Sequence, residues 1–175
     1  MIDFRPIWMI SGIFLLVIGF GMLLPMAVDL SVGNSDWQVF ALISGIVVFF
    51  GSILFLSNRG EYNEMTIQQA FLLTFISWLL MPAFGALPFV FSELSLSYTD
   101  AYFEAMSGIS TTGSTVITGL DKAPPGILLW RSLLQWFGGV GIIVMAVAIL
   151  PILKIGGMQL FKVESFNVSD KMLPR

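Results

Sequence analysis

Four stretches of the chain are apolar almost without interruption: residues 7–28, 37–56, 67–91 and 127–150. Each is close to the ~20 residues that an α-helix needs to cross the hydrocarbon core of a bilayer. The pattern predicts four transmembrane helices. The first stretch is longer than the apolar region of a secretory leader, and no small-x-small cleavage site follows it, so it reads as a retained span.

The spans differ in character. The first two are nearly uniform, with Gly12, Gly19, Gly21 and Gly45 as points where helices can approach closely, and they read as peripheral helices. In the third, Pro82 and Pro88 predict bends whose freed carbonyls must find partners on neighbouring segments. The fourth carries Arg131, Gln135, Gly138, Gly139 and Gly141, too polar and small-sided for lipid all round, so it should face protein. Gly138-Gly139-Val140-Gly141 lacks the spacing of a dinucleotide-binding loop and lies inside an apolar span. Close helix packing explains it better. Beyond Pro151 the tail is mixed and polar, broken at Gly156-Gly157, and part of it is expected to lie along the cytoplasmic membrane surface. No tandem repeat is visible.

Composition agrees with the membrane reading and narrows the chemistry. Apolar residues make up 57% and charged residues 11%, against about 25% charged in a soluble domain. Mean hydropathy is +0.91. There is neither cysteine nor histidine, which excludes disulfides, thiolate nucleophiles, Cys/His zinc sites and a histidine base. A net charge of −3 argues against nucleic acid as a partner. Basic residues set the topology. Arg5, Arg59, Lys154, Lys162, Lys171 and Arg175 fall on one side of four alternating spans, and only Lys122 and Arg131 on the other. Both termini are therefore expected in the cytoplasm, with the loop between the third and fourth spans outside.

That loop carries the chemistry. Thr99 or Asp100 can cap a short helix, and Tyr102, Phe103, Met106 and Ile109 give it an apolar face. Some 12 residues at 1.5 Å reach only ~18 Å, so the helix should enter the bilayer and return. It leads into Ser110-Thr111-Thr112-Gly113-Ser114-Thr115. Non-helical backbone at membrane depth survives only where protein or water surrounds it. Gly113 can take φ > 0 and turn successive carbonyls toward one axis. Such carbonyls can replace the hydration shell of a monovalent cation. The carboxyl end of the short helix adds about half a negative charge nearby.

Phe103-Glu104-Ala105-Met106-Ser107-Gly108, Thr111-Thr112-Gly113-Ser114-Thr115, the run from Trp130 to Ile142 that reads WRSLLQWFGGVGI, and Gly156-Gly157-Met158-Gln159-Leu160-Phe161 together resemble the first repeat of the Trk/Ktr/HKT superfamily of potassium transporters, in its TrkH branch. The resemblance implies a K⁺ path lined by four such repeats, with Thr111, Thr112, Gly113, Ser114 and Thr115 giving mainly backbone carbonyls as a selectivity filter. It also implies a homodimer of the full protein, a cytoplasmic nucleotide-binding regulatory subunit, and residence in the bacterial inner membrane. K⁺ is the transported ion, and no organic cofactor or further metal is expected in this chain. Glycine at the position of Gly113 goes with K⁺ in that family, and serine in some plant members with Na⁺. Only one repeat is present, so the chain is expected to be a piece of a longer polypeptide.

The expected fold is all-α: residues 1–63 as two peripheral transmembrane helices, 64–152 as a helix–re-entrant pore loop–helix repeat, and 153–175 as a cytoplasmic or interfacial segment. Glu104 and Arg131 are interior charges that need partners, and their pairing would pin the pore helix to the fourth span. Arg131 reaching the interface alone is the plainer option. Asp100 and Asp121 read as solvated charges, and Asn167-Val168-Ser169 as a chance match to a glycosylation pattern. The competing functional reading is a non-conducting membrane scaffold or assembly partner. No constellation suggests an enzyme.

Overall fold

The computed structural model describes residues 3–60 and 65–152, with side chains described as far as residue 143. The expectations for the tail, including Gly156-Gly157, Asn167-Val168-Ser169 and the interfacial segment 153–175, lie outside the described residues. The chain divides into two units, residues 1–140 and 141–175. The packing below belongs to the first. Of the second, the described part is the end of one long helix.

Every regular element among the described residues is helical, and four helical runs are long and apolar enough to cross a membrane. The first run, Arg5–Val32, is longer than its apolar stretch suggested and consists of α1 (Arg5–Gly21) and α2 (Leu23–Val32). The interruption at Met22 has a local cause. Pro25 has no N–H for the Gly21 carbonyl, and its ring crowds that carbonyl. The second run is α3 (Trp37–Ser57).

α1 and α3 approach so closely that side chains are excluded at the contact. A Cβ on Gly12 would lie 2.7 Å from the Phe55 nitrogen and 2.8 Å from the Gly51 carbonyl oxygen. Nearby, the Ser44 hydroxyl donates to the Gly19 carbonyl at 2.7 Å. Gly45 is different: a Cβ there would meet nothing within 4 Å. It is not a packing point, because it sits on a face of α3 that other described helices do not approach.

α4 (Ile67–Gly85) starts at a capping box. The Thr66 side chain accepts from the Gln69 N–H, and the Gln69 side chain accepts from the Thr66 N–H. The helical path breaks at Ala86 and resumes as α5 (Leu87–Phe91), with Pro88 in its first turn. Pro82 stays inside α4. The break frees the Gly85 carbonyl, because Phe89 donates to Ala86 instead. The buried Trp130 indole Nε1 fills the vacancy at 2.9 Å. Here a neighbouring segment meets the hydrogen-bonding need that the break creates.

The 12-residue α6 (Tyr98–Ile109) follows, then non-helical backbone, a single 3₁₀ turn at Leu120–Lys122, and the long α7 (Pro125–Ile152). Phe40 of α3, Phe89 of α5, Ala105 of α6 and Trp130 and Leu134 of α7 share one buried core. Within it Phe40 and Trp130 meet edge-on, their ring centres 6.4 Å apart. Leu42, Phe49, Phe71, Phe75 and Trp136 point outward and are exposed. A soluble chain would not leave so many large apolar groups uncovered; a membrane protein covers them with lipid or with further membrane-embedded protein.

Candidate functional site

α6 begins two or three residues earlier than its expected capping residues suggested. Ser97 is the N-cap: its hydroxyl accepts from the Asp100 N–H at 3.2 Å and donates to the Asp100 carboxylate at 2.7 Å. Asp100 is thus the reciprocal partner in the first turn, and Thr99 lies inside the helix. The Ser-x-x-Asp spacing carried that signal.

The buried face of α6 also departs from expectation. It comprises Ala101, Glu104, Ala105, Ser107, Gly108 and Ile109, whereas Phe103 is 45% exposed. The reason is proximity to α7. A Cβ on Gly108 would stand 3.0 Å from the Leu134 Cβ, and one on Gly138 would overlap the Ile109 carbonyl group. At Gly108 and Gly138 the seam leaves no room for a side chain, and Phe103 turns away from it. The glycine run of α7 contributes unequally: Gly138 is obligatory for the contact, while a Cβ on Gly139 would make only an ordinary contact with the Thr111 side chain at 3.8 Å.

After Ile109 the backbone folds back on the helix it has just left. The Ser110 N–H donates to the Met106 carbonyl at 2.8 Å, and the Thr111 N–H to Gly108 at 2.8 Å. The Thr112 and Gly113 N–H groups both donate to the Ser107 carbonyl, at 3.0 and 3.2 Å. Two residues take left-handed backbone angles, Thr111 at φ 58° and Gly113 at φ 77°. For Gly113 this conformation costs little. Thr111 holds it against its β-branched side chain, and nothing in the sequence pointed to it.

Side chains complete the hold. The Ser107 hydroxyl donates to the Ser114 carbonyl at 2.6 Å. Ser110 and Thr112 share a hydroxyl–hydroxyl hydrogen bond at 2.7 Å. Glu104 is buried. Its Oε2 accepts from the Thr115 hydroxyl and from the Val116 N–H, both at 3.0 Å. Its Oε1 accepts from the Arg131 Nε at 2.5 Å. Arg131 is therefore paired, and one carboxylate joins α6, α7 and the far end of the loop. Charge-assisted hydrogen bonds of this kind are roughly twice as strong as neutral ones. Residues 111–116 are nevertheless exposed along their outer side. Gln135 of α7 stands behind Gly113, its amide nitrogen 3.3 Å from where a Cβ would be. Asp121 is exposed, as a solvated charge should be. Sequence reasoning gave Ser107 no role, since a serine in a helix end is common and its target lies seven residues on.

A long apolar helix, a short helix, a hydroxyl-rich loop fastened to it and a second long helix define a class of polytopic helical membrane proteins. Within that class, the chain belongs to the TrkH family of cation transport proteins, whose family model matches residues 37–174. It is 44% identical to the Trk system potassium uptake protein TrkH of Salmonella typhimurium and 43% identical to that of Escherichia coli, in each case over 98% of this chain and 36% of the relative. The crystal structure of the potassium transporter TrkH from Vibrio parahaemolyticus superposes with a TM-score of 0.83 at 41% identity, covering 89% of this chain and 34% of that one. The chain thus spans about a third of the length of the relatives it matches.

Proposed function

We propose that this chain supplies one quarter of a potassium-uptake path, the segment Thr111–Thr115 offering backbone oxygens to a dehydrated K⁺. The observation that carries the reading is the loop's fastening. Three successive amides, at Thr111, Thr112 and Gly113, are consumed by carbonyls of α6, while the loop's outer side is left exposed. A backbone held from behind and open in front is what oxygen ligation of a cation requires. The names of the relatives, potassium uptake proteins, support the choice of ion. Glu104 and Arg131 serve as pore support by pinning the loop and α6 to α7.

In this reading residues 1–63 are peripheral, 64–152 form the pore repeat and 153–175 lie at the cytoplasmic surface. Three further pore repeats complete the ring. The full protein works as a homodimer in the bacterial inner membrane with a cytoplasmic nucleotide-binding regulatory subunit, and both ends of this chain face the cytoplasm.

Gly113→Ser tests the filter assignment. Serine must adopt φ 77° at a cost of about 1–2 kcal/mol and press its side chain toward Gln135. Rubidium uptake by the complete protein in uptake-deficient cells, competed with sodium, should show selectivity relaxed toward Na⁺. Unchanged selectivity would remove Gly113 and its neighbours from the ion path.

A further inference from the structure

The hydrogen bonds of the loop fix which way its carbonyls face. In a trans peptide the N–H of one residue and the C=O of the residue before it lie in one plane and point in opposite directions. The N–H groups of Thr111, Thr112 and Gly113 point back at carbonyls of α6. The carbonyls of Ser110, Thr111 and Thr112 therefore point away from it. The Val116 N–H points at Glu104, so the Thr115 carbonyl also turns outward. Ser114 breaks the series. Its carbonyl accepts the Ser107 hydroxyl at 2.6 Å and so faces inward, toward the helix. The reversal falls immediately after Gly113, the residue with φ 77°.

We propose that Ser107 is a positioning residue for ion selectivity: its buried hydroxyl holds the Ser114 carbonyl against α6, so the oxygens this chain gives to the ion include those of Thr111, Thr112 and Thr115 and exclude that of Ser114. The inference rests on the reading of Thr111–Thr115 as a cation filter and narrows its ligand set. Selectivity depends on the number and field of the coordinating carbonyls. A hydroxyl that keeps one carbonyl out of the ring therefore sets selectivity without touching the ion. Ser107 is suited to the task. It is 6% exposed, sits in the last turn of α6, and its own carbonyl already anchors Thr112 and Gly113. One residue thus fixes three consecutive loop positions. Removing its hydroxyl frees the Ser114 peptide to rotate, while the anchors made by the Ser107 backbone remain.

The test uses the complete protein in uptake-deficient cells, reading rubidium uptake and its inhibition by sodium at matched membrane levels. Ser107→Ala should lower discrimination against sodium about 5- to 10-fold, the ratio expected for one lost hydrogen bond. Ser107→Thr, which keeps the hydroxyl, should discriminate as the unaltered protein does. Ser107→Cys is close in size but a weak donor, so it should behave like Ser107→Ala, and it serves in its place if the alanine variant does not reach the membrane. Discrimination unmoved in both the alanine and cysteine variants overturns the role of Ser107. Absence of rubidium uptake by the unaltered protein overturns the filter reading itself, which separates the two failures.

Discussion

Asp29, in the first apolar run, accepts a hydrogen bond from the N–H of Gly126 at the start of α7, at 2.7 Å across 97 residues of sequence. Asp29 is buried, and a Cβ added to Gly126 would overlap its carboxylate. The first amides of a helix have no partner within the helix, and a negative group there also meets the positive end of the helix dipole. The N-terminal helical run therefore helps to hold the helix that backs the loop. Asp29→Asn keeps an acceptor and should leave stability nearly unchanged. Asp29→Leu strands a buried N–H and should cost about 1–3 kcal/mol. Thermal inactivation of the complete protein in detergent would separate the two; equal loss in both variants would rule out the hydrogen bond as the cause.

The Glu104–Arg131 pair should behave as a unit. Breaking a buried pair by removing one partner leaves an uncompensated charge and costs about 3–5 kcal/mol. Glu104→Gln and Arg131→Gln should each impair stability and uptake, and the double variant should lose much less than the sum. Additive losses in such a cycle would mean that the contact contributes nothing to holding the loop.

Two glycines offer a contrast. At Gly138 a Cβ would overlap the Ile109 carbonyl group, whereas at Gly45 it meets nothing within 4 Å. Gly138→Ala must push α6 away from α7 and should cost about 1–3 kcal/mol, with uptake reduced. Gly45→Ala should be neutral or slightly stabilising, since alanine is the better helix former by about 1 kcal/mol. Melting of the two purified variants side by side would decide the matter, and an equal shift would count against the seam.

Asp36 lies outside the spans, at the start of α3, where both carboxylate oxygens accept from the Glu93 N–H, at 3.1 and 3.3 Å. Burial is the main cause that raises its carboxyl above the ordinary value of 3.8, and the negative charges of Glu93 and Asp29 add to it, against the lowering effect of the Glu93 hydrogen bond. A group whose folded value is raised stabilises fully below its unfolded value, and that contribution is lost as pH rises through the folded value. Relative to Asp36→Asn, which keeps an acceptor but cannot ionise, the unaltered protein should therefore lose stability as pH rises from below 3.8 toward neutrality. A difference in melting temperature between the two that does not change with pH would sink this account.

The Ser114 carbonyl and the Gly113 turn show how far residue order reaches. Period and apolar length alone determined the four spans, the shortness of α6 and the polar break after it, because crossing a bilayer requires about 20 apolar residues and interior charges require partners. The need for positive φ at Gly113 was legible too, since glycine takes that region freely. Tertiary structure decided the rest. Which face of α6 is buried depends on how closely α7 passes it, and where the Ser107 hydroxyl goes depends on the loop folding back onto α6. The Asp29–Gly126 contact depends on two helices far apart in the chain meeting in space. Apolar periodicity is a property of each segment taken singly, whereas a hydrogen bond at 2.6 or 2.7 Å exists only once two segments have been brought into register.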